Sequence, residues 1–431
     1  MKRWLVLMIL TPFASWAKAG DIEPAHLFQA YQTVCRADSG ELWEQSLCGP
    51  VLLADHENGR VYANGPDADG YLAGEDGVWT GSFQDENAPV RANTAADWSG
   101  TRWAVIMWPL GNDDLQNALR LLAHESFHRI ESSLPFVPKD QPFSSHLDEE
   151  KARLWLRLEL RALAAALKND ADEAVAHFAN ALRFRAERYR PFPGAEEPES
   201  KLEMMEGLAE YTGWAVVPDD AKQGKLARLL LSRETTGQFA RSFAYQTGPA
   251  YGLFFDRLLP DWKAGLTDST TFPDLARQAI GARAHREDRG NAEDIAKPYG
   301  YVEVAAEEAT RAEDRARLFA LYRKRFVEGP RLIVPFANGV DMTFDPNHVT
   351  ALGDHGQVYR TVTLKGPWGT LKATGGALLD WSNGIGVVDR IGTPAGPLWK
   401  TDGWRLELAP GWILEPDGDD FKVSREKSEQ K

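Results

Sequence analysis

This chain of 431 residues has few cysteines and no excess of positive charge. Asp and Glu outnumber Lys and Arg by 63 to 49, which leaves a net charge of −14. Nonspecific binding to nucleic acid depends on clustered Lys and Arg, so the charge balance argues against nucleic acid as a partner. The composition, with 43% hydrophobic and 26% charged residues, is typical of a globular protein and argues against a disordered chain.

Long apolar stretches are missing beyond the N-terminus. There, residues 4–16 form an apolar run behind a basic pair, and Ala17-Lys18-Ala19 has the A-x-A form of a signal-peptidase site. The run is too short to span a bilayer comfortably, so residues 1–19 are interpreted as a cleaved signal peptide. We therefore expect an exported protein, periplasmic or secreted. Because no later stretch of about 18 residues is uninterrupted and apolar, the mature chain should have no integral membrane segment.

Export bears on the chain's two cysteines, Cys35 and Cys48. In an oxidising compartment, a pair this close normally forms a disulfide. The alternative is a pair of metal ligands. No His or second Cys pair with matching spacing lies nearby, so the disulfide is the favoured interpretation.

The pattern of the chain changes near residues 110 and 330, which predicts an α+β protein with three regions after the signal peptide. Residues 20–110 are mixed and β-rich, and Asn58-Gly59 is a strong hairpin cue. Residues 111–330 are mainly helical in pattern. Residues 331–431 are predicted to form a small all-β domain, with a second hairpin cue at Asn338-Gly339.

Individual elements follow from hydrophobic periodicity. A strand is predicted at Trp103–Trp108, and helices are predicted over Leu154–Leu167, Asp172–Arg188 and Ala305–Phe326. Short strands of the third region are predicted at Leu332–Phe336, Val340–Phe344, Val358–Leu364, Gly369–Ala373, Trp404–Leu408 and Trp412–Leu414. The same region contains Trp368, Trp381, Trp399, Trp404 and Trp412. Such residues usually belong to the core, but if exposed they would form a face for carbohydrate or peptide.

The strongest functional signal is the HExxH motif His124-Glu125-Ser126-Phe127-His128. Apolar residues at helical spacing precede it, and Asn112 or Asp113 is predicted to cap its helix. Residues four apart lie on one face of a helix, so His124 and His128 can bind one Zn²⁺ while Glu125 takes a proton from a metal-bound water. The competing interpretation is a surface helix with two solvated His. Arg129 favours it, because zinc peptidases usually carry an uncharged residue after the motif.

A catalytic zinc site needs a third protein ligand, and the segment Glu206-Gly207-Leu208-Ala209-Glu210 supplies a candidate. A capping box at Ser200–Glu203 predicts a helix that starts just before it, and Gly213 is a candidate end. Glu206 and Glu210 then lie one turn apart, so Glu206 can bind the metal while Glu210 orients a ligand His. The alternative is an acidic, solvated helix face.

Glu159, within the apolar Leu154–Leu167 helix, is a rival third ligand. A buried ion pair between Glu159 and Arg157 or Arg161 explains its position equally well. Glu159 and Glu206 therefore predict different metal sites. Glu206 is favoured, because the small and apolar residues in its segment suggest that the segment packs against the protein.

HExxH followed by a helical E-G-L-A-E resembles the gluzincin zinc peptidases, particularly the aminopeptidase N-like and glycyl-aminopeptidase-like branches. There an Asn-Glu-Gly-Phe-Ala segment supplies the third ligand, and a downstream Tyr-x-x-Gly element supplies a Tyr hydroxyl to the tetrahedral intermediate. Tyr245-Gln246-Thr247-Gly248 is similar to that element, which implies this role for Tyr245. The resemblance covers about residues 103–260.

The chain departs from those branches in two ways. The separation from His128 to Glu206 is far longer than in the aminopeptidase N-like branch, and the intervening residues are interpreted as an inserted helical pair. The chain also contains no Gly-x-Met-Glu-Asn segment, the element that holds a substrate's free amine there. Metallopeptidase chemistry is therefore expected, whereas the choice between exopeptidase and endopeptidase action is left open.

The residues and the resemblance together predict an exported zinc peptidase whose substrate is a peptide or protein. Zn²⁺ would be held by His124, His128 and Glu206, and a strand near Val90–Thr94 or Arg102–Trp108 would align an extended peptide. Two alternatives come from other classes. One is a non-catalytic envelope binding protein that keeps a gluzincin-like fold. The other is a structural envelope protein in which HExxH is accidental.

Export and oxidation can be tested together. The mature chain should begin near Gly20, and it should weigh two hydrogens less than the free dithiol because Cys35 is joined to Cys48. Intact-mass spectrometry of protein recovered from the exported fraction measures both. An uncleaved N-terminus or two alkylatable thiols would contradict the prediction.

Overall fold

The computed structural model describes residues 22–426, except 76, 112–113, 141–143, 236–237, 282–289, 337–338, 346–347 and 391–395. The predicted signal peptide, Asn112, Asp113 and Asn338 lie outside the described residues. The chain forms two compact units, of which the first ends at Ala305 and the second begins at Ala306. Its fold is α+β, with several sheets and a largely helical region.

A six-stranded sheet belongs to the first unit. Its strands are β1 (Val51–Asp55), β2 (Arg60–Ala63), β3 (Ala73–Glu75), β4 (Val78–Ser82), β5 (Thr94–Trp98) and β6 (Thr101–Met107). Their order is β3-β4-β2-β1-β6-β5, in which only β1 and β6 pair in parallel. The predicted hairpin at Asn58-Gly59 is confirmed, since it joins β1 to β2 with Gly59 at a φ of 61°.

The two faces of this sheet belong to different hydrophobic clusters. Val51 and Leu53 of β1, with Ile106 of β6, join the main core beneath the helices. Their neighbours in sequence, including Leu52 and Trp103, form a second cluster on the opposite face. Because successive strand residues point to opposite faces, burial on both sides explains why the predicted strand Trp103–Trp108 is an unbroken apolar run.

Helices make up most of the remainder of the first unit. They are α1 (Pro24–Asp38), α2 (Leu115–Ile130), α3 (Glu150–Lys168), α4 (Ala171–Tyr189), α5 (Glu196–Leu202), α6 (Leu208–Val216), α7 (Lys222–Arg233), α8 (Phe239–Ser242), α9 (Ala244–Leu258), α10 (Phe272–Ile280) and α11 (Ala292–Ala296). A further helix, α12 (Tyr301–Arg323), contains the boundary between the units. Within the part of the chain that the structure describes, no helix is both long and apolar enough to cross a bilayer.

Local signals for helix ends were less accurate than those for helix interiors. The cap of α2 is Asp114, whose carboxylate accepts hydrogen bonds from the backbone N–H groups of Gln116 and Asn117. The predicted capping box at Ser200 is wrong, because α5 already begins at Glu196 with three glutamates in its first turn, where they favour the positive end of the helix dipole.

Gly213 does not end its helix but lies inside α6. A Cβ atom at this position would lie 2.7 Å from the backbone oxygen of Arg120 on α2. A side chain would therefore collide with backbone, and glycine is needed because α6 packs closely against α2.

The described residues of the second unit form twelve strands in two sheets. They are β7 (Arg331–Pro335), β8 (Asp341–Phe344), β9 (Val349–Ala351), β10 (Gln357–Tyr359), β11 (Val362–Gly366), β12 (Gly369–Ala373), β13 (Ala377–Asp380), β14 (Ile385–Asp389), β15 (Leu398–Lys400), β16 (Trp404–Leu408), β17 (Trp412–Asp417) and β18 (Asp420–Arg425). One sheet has the order β17-β18-β7-β14-β13-β10-β9, and the other β15-β16-β12-β11-β8. A hydrophobic cluster drawn from both sheets forms the core.

Two predictions about this unit are wrong for the same reason. The strands on either side of Asn338-Gly339, β7 and β8, belong to different sheets and do not form a hairpin. The single strand predicted at Val358–Leu364 is two strands, β10 and β11, again in different sheets. The local sequence pattern predicts strands, but it does not indicate where the chain leaves one sheet for the other.

The five Trp residues of the second unit do not form one exposed face. Trp368, Trp399 and Trp404 are buried in the core, and Trp412 is half-buried. Trp381 is 60% exposed and contacts Phe336 edge-on, with ring centroids 4.5 Å apart. The core interpretation therefore holds for most of the set, and a Trp-lined binding face is not present among them.

The predicted disulfide between Cys35 and Cys48 is present. The loop that it closes carries Trp43, whose indole N–H donates a hydrogen bond to Thr212 on α6, with a nitrogen–oxygen distance of 2.9 Å. The Trp43 ring also packs edge-on against Phe127 of α2. The covalently closed loop thus contacts both α2 and α6.

Truncating two Trp residues of the second unit tests the burial pattern. Trp404→Ala should cost about 3–5 kcal/mol of unfolding free energy, because a buried aromatic leaves a cavity. Trp381→Ala should cost about 1 kcal/mol or less, since only its edge contact with Phe336 is lost. Urea unfolding followed by circular dichroism measures both. Equal losses would contradict the assignment of Trp404 to the core.

Candidate metal centre

The HExxH motif lies on a buried stretch of α2. Its neighbours Ala123 and Phe127 are fully buried in the main core, and His124 and Glu125 are each only 4% exposed. Polar side chains at such positions need partners, because an unpaired buried polar group is costly. The solvated surface helix considered as the alternative is therefore not what the structure contains.

Three donor atoms converge beside this helix. The Nε2 atoms of His124 and His128 are 3.1 Å apart. Oε2 of Glu206 lies 3.4 Å from the first nitrogen and 3.3 Å from the second. Tetrahedral zinc with bonds of about 2.0–2.1 Å separates its ligand atoms by about 3.3 Å. The two imidazoles and the carboxylate thus match a zinc-binding set in both donor type and spacing.

The other nitrogen of each imidazole faces a carboxylate. Nδ1 of His124 lies 3.1 Å from Glu210, and Nδ1 of His128 lies 2.8 Å from Glu131. When Nδ1–H donates to these carboxylates, each Nε2 lone pair points to the shared position, which is the usual support for a metal-binding His.

Sequence reasoning placed Glu210 in this supporting role but missed Glu131. Glu131 follows His128 by three residues, immediately after the last residue of α2. Residues three apart are neighbours on a helix surface, so this spacing was the available signal.

Glu206 sits in an irregular segment between α5 and α6. Residues Glu203–Gly207 form a π-helical turn, which inserts an extra residue into the helical path. Such turns occur frequently at functional sites because they redirect a side chain within an otherwise regular helix. Both Glu206 and Glu210 reach His124, one through Nε2 and the other through Nδ1.

Tyr245, at the start of α9, lies against the same group. Its hydroxyl donates a hydrogen bond of 2.6 Å to Oε2 of Glu206. Its ring stacks on His124, with centroids 5.4 Å apart and planes within 8° of parallel. Burial, reinforced by the charge of Glu206, raises the pKa of Tyr245, so the hydroxyl keeps its proton and remains a donor.

Glu125 lines a cleft beside the three donor atoms and has one unsatisfied oxygen. Its Oε2 is buried and has no hydrogen-bond partner among the described residues. Burial raises the pKa of Glu125, and the nearby imidazoles only partly oppose that shift. A buried carboxylate with a free oxygen and a raised pKa is suited to accept a proton.

The carboxylates shift the charge balance of the imidazoles. Burial lowers the pKa of His124, but hydrogen bonds to Glu206 and Glu210 outweigh it and raise that pKa to about 9. Burial likewise lowers the pKa of His128, and Glu131 and Glu206 raise it to about 10. Burial raises the pKa of Glu206, and the imidazoles reverse this and hold it well below its usual value. The surroundings thus favour positive charge where the two nitrogens meet, which a divalent cation supplies.

Glu159, the rival ligand, belongs to a different cluster. It is fully buried in α3 and accepts hydrogen bonds from Arg188, from Nε of Arg185 at 2.7 Å and from the Tyr251 hydroxyl at 2.8 Å. It is not among the described residues that line the cleft. The expectation of a buried ion pair fits Glu159, although the arginines that pair with it are Arg185 and Arg188 of α4, where Arg157 or Arg161 was predicted.

Arg129, the residue that argued against a zinc site, turns away from it. Its guanidinium donates to the backbone oxygen of Leu47 at 3.1 Å, within the loop closed by Cys35 and Cys48. Its charge is therefore used to hold that loop against α2, and it does not conflict with a metal beside His128.

A cleft with a volume of about 100 Å³ adjoins the three donor atoms. Besides the site residues, it is lined by Met205 and by Asn93, Thr94 and Ala95 at the start of β5. Among these described lining residues, none is Lys or Arg. Of the two ranges proposed as strands that align a peptide, Arg102–Trp108 corresponds to β6, which lies between β1 and β5. The strand predicted at Val90–Thr94 is wrong over residues 90–93, which are not in a strand, and only Thr94 belongs to the terminal strand β5.

The chain was compared with known protein families, curated proteins and solved structures. No family model, no curated protein and no solved structure matches the chain. The function of the chain is therefore inferred from the sequence motif and the geometry of the site.

Metal retention tests the assignment of the ligands. One zinc ion per chain should co-purify, and His124→Ala, His128→Ala and Glu206→Ala should each release it. Glu131→Gln should keep the fold but weaken zinc binding about 10- to 100-fold, because it removes the acceptor that orients His128. Elemental analysis and chelator competition measure these effects. Glu159→Gln is the control, and loss of zinc from it together with retention by Glu206→Ala would show that the third ligand is wrong.

Proposed function

We propose that this protein is an exported, zinc-dependent peptidase with a gluzincin-like catalytic domain, in which His124, His128 and Glu206 hold Zn²⁺. The observation that carries the proposal is the convergence of His124 Nε2, His128 Nε2 and Glu206 Oε2 to within 3.1–3.4 Å, beside a cleft. Three protein ligands and free space on one side are typical of catalytic rather than structural zinc sites.

Glu125 is the general base of the proposed reaction. Zinc, when bound, supplies a Lewis acid that polarises the scissile carbonyl and lowers the pKa of water. Glu125 accepts the proton of the water that attacks the carbonyl carbon, and it delivers this proton to the amine as the C–N bond breaks. Its buried, unpartnered Oε2 and its position next to a ligand on α2 support this role.

Tyr245 is the proposed donor to the oxyanion. Its hydroxyl is 2.6 Å from the Glu206 oxygen that faces the two imidazoles, so it lies at the reacting centre. Moving this hydrogen bond from Glu206 to the substrate oxygen would stabilise the negative charge that develops there. The stacked ring of His124 limits how far the Tyr245 ring can turn.

The proposed substrate is an extended peptide or protein segment. β5 pairs with β6 and, among the described residues, is the last strand in the order of the sheet. An edge strand can add a further strand through backbone hydrogen bonds, which suits a substrate recognised mainly by its main chain. Thr94 and Ala95 line the cleft, which places this edge next to Glu125.

Export remains part of the proposal. The Cys35–Cys48 disulfide is stable in an oxidising compartment such as the periplasm or the cell exterior. The interpretation of residues 1–19 as a signal peptide supplies the route. A zinc peptidase in that compartment would act on exported or external proteins.

Replacing the general base separates the enzyme from a non-catalytic binding protein with the same fold. Glu125→Gln should retain zinc, because Glu125 is not one of the three proposed ligands, but it should lower peptide hydrolysis by about 10²- to 10⁴-fold. Tyr245→Phe should also keep zinc and lose about 10²- to 10³-fold. Initial rates on a peptide library with free and blocked N-termini measure both, since the amine-anchoring segment is missing.

Chelation and reconstitution provide the control for this measurement. A chelator should abolish hydrolysis, and stoichiometric Zn²⁺ should restore it. Wild-type protein that is full of zinc but cleaves nothing in the library would favour the binding protein. Equal activity of Glu125→Gln and wild type would refute the catalytic role of Glu125 while leaving the zinc site intact.

A further inference from the structure

A second cluster of charges, entirely buried, lies next to the candidate metal centre in the first unit. It contains three carboxylates and two guanidinium groups, from Glu159, Glu199, Glu203, Arg185 and Arg188, all with exposures of 1% or less. The two arginines come from α4 and the carboxylates from α3, α5 and the π-helical turn. The helical pair α3–α4 occupies the long separation between His128 and Glu206, and this cluster is where the pair meets the segment that carries Glu206.

Glu203 is the member of the cluster closest in sequence to the metal centre. Its Oε2 accepts a hydrogen bond from Arg185 at 2.7 Å, and its Oε1 accepts a second one at 2.6 Å. Oε1 also accepts a hydrogen bond of 2.6 Å from the hydroxyl of Thr247 on α9. One carboxylate therefore ties the π-helical turn to α4 and to α9 at once.

The two segments joined by Glu203 and Thr247 carry the candidate ligand and the candidate oxyanion donor. Glu206 follows Glu203 by three residues, and Tyr245 precedes Thr247 by two. Their own side chains meet in the hydrogen bond of 2.6 Å described above. The separation of Glu206 and Tyr245 is thus set by the same two backbone segments that Glu203 and Thr247 connect.

A glycine pair makes a second connection between these segments. A Cβ atom at Gly248 would lie 2.3 Å from the Cα atom of Gly207. The backbones of α9 and of the π-helical turn therefore touch at this point, one residue beyond Thr247 and one beyond Glu206. Two attachment points, one a backbone contact and one a buried charge-assisted hydrogen bond, restrict both the distance and the rotation between the segments.

We infer that Glu203, which Arg185 of the α3–α4 pair holds, and Thr247, which donates to Glu203, are positioning residues that align Glu206 and Tyr245 for zinc binding and catalysis. The inference rests on the proposed function, and it assigns a role to the helical pair that the gluzincin resemblance leaves unexplained. Neither residue is among the proposed ligands or among the described residues that line the cleft. Both act by fixing the place of a residue that is.

Thr247→Val tests the inference, because it removes the hydroxyl while keeping the branched shape of the side chain. Its matched control is Tyr251→Phe, one helical turn further along α9. Tyr251 is as fully buried as Thr247, and its hydroxyl donates to Glu159, another carboxylate of the same cluster. Each variant removes one hydroxyl donor from a buried carboxylate. Thr247 donates directly to Glu203, whereas Tyr251 reaches Glu203 only indirectly, through Glu159 and Arg185.

We expect Thr247→Val to weaken zinc binding roughly 10- to 100-fold, the range typical of residues that support a ligand. At saturating zinc, its kcat should fall by roughly 10-fold or more while KM changes little, since a displaced Tyr245 affects the transition state. Co²⁺ substituted for zinc should show a shifted visible absorption spectrum. Tyr251→Phe should leave zinc affinity within about two-fold of wild type, because both hydrogen bonds from Arg185 to Glu203 and the one from Thr247 remain.

Thr247→Ser restores the hydroxyl and should recover zinc affinity, kcat and the Co²⁺ spectrum. If Thr247→Val does not fold, Thr247→Ala carries the same expectations, since alanine is well tolerated in a helix. Equal effects of Thr247→Val and Tyr251→Phe on zinc affinity, or unchanged values in Thr247→Val, would overturn the inference while the zinc site stands. A wild-type protein that binds no zinc would overturn the proposed function and this inference together.

Discussion

Burial of charge is the constraint on which the rest of the first unit depends. Charged side chains are tolerated in a protein interior only when they are paired and hydrogen-bonded. In the buried cluster described above, Arg185 and Arg188 donate hydrogen bonds to the carboxylates of Glu159, Glu199 and Glu203. At the HExxH helix, carboxylates outnumber the imidazoles, and the described lining residues include no Lys or Arg. A bound cation would supply positive charge at the HExxH helix, as Arg185 and Arg188 supply it in the buried cluster.

Close helix packing holds these two clusters together. Gly213 lets α6 approach α2, and the pair Gly207 and Gly248 lets α9 approach the π-helical turn. From the other side, Trp43 in the disulfide-closed loop packs against α2 and donates a hydrogen bond to α6. The candidate ligands are therefore supported by backbone contacts and buried side chains on several sides, which is the rigidity that a preorganised site requires.

Much of the fold was predictable where the signal is local. The strands β12 and β16 have the predicted bounds, the Asn58-Gly59 hairpin is present, and α3 and α4 extend the predicted helices by a few residues. The errors occur where the outcome depends on distant partners. The sequence around Asn338-Gly339 predicts a hairpin. In the structure, β7 and β8 belong to different sheets, which share one hydrophobic core.

The sequence by itself determined the elements of the site that follow from spacing along one helix. The four-residue interval of HExxH brings His124 and His128 to one face of α2, because an α-helix has 3.6 residues per turn. Only the tertiary structure decided which charges pair across the chain. In the folded chain, Glu159 is paired with Arg185 and Arg188 and lies away from the candidate ligands. Glu131 lies within hydrogen-bond distance of His128, and Thr247 donates a hydrogen bond to Glu203. Periodicity is encoded locally, whereas the partner of a buried charge depends on which helices the fold brings into contact.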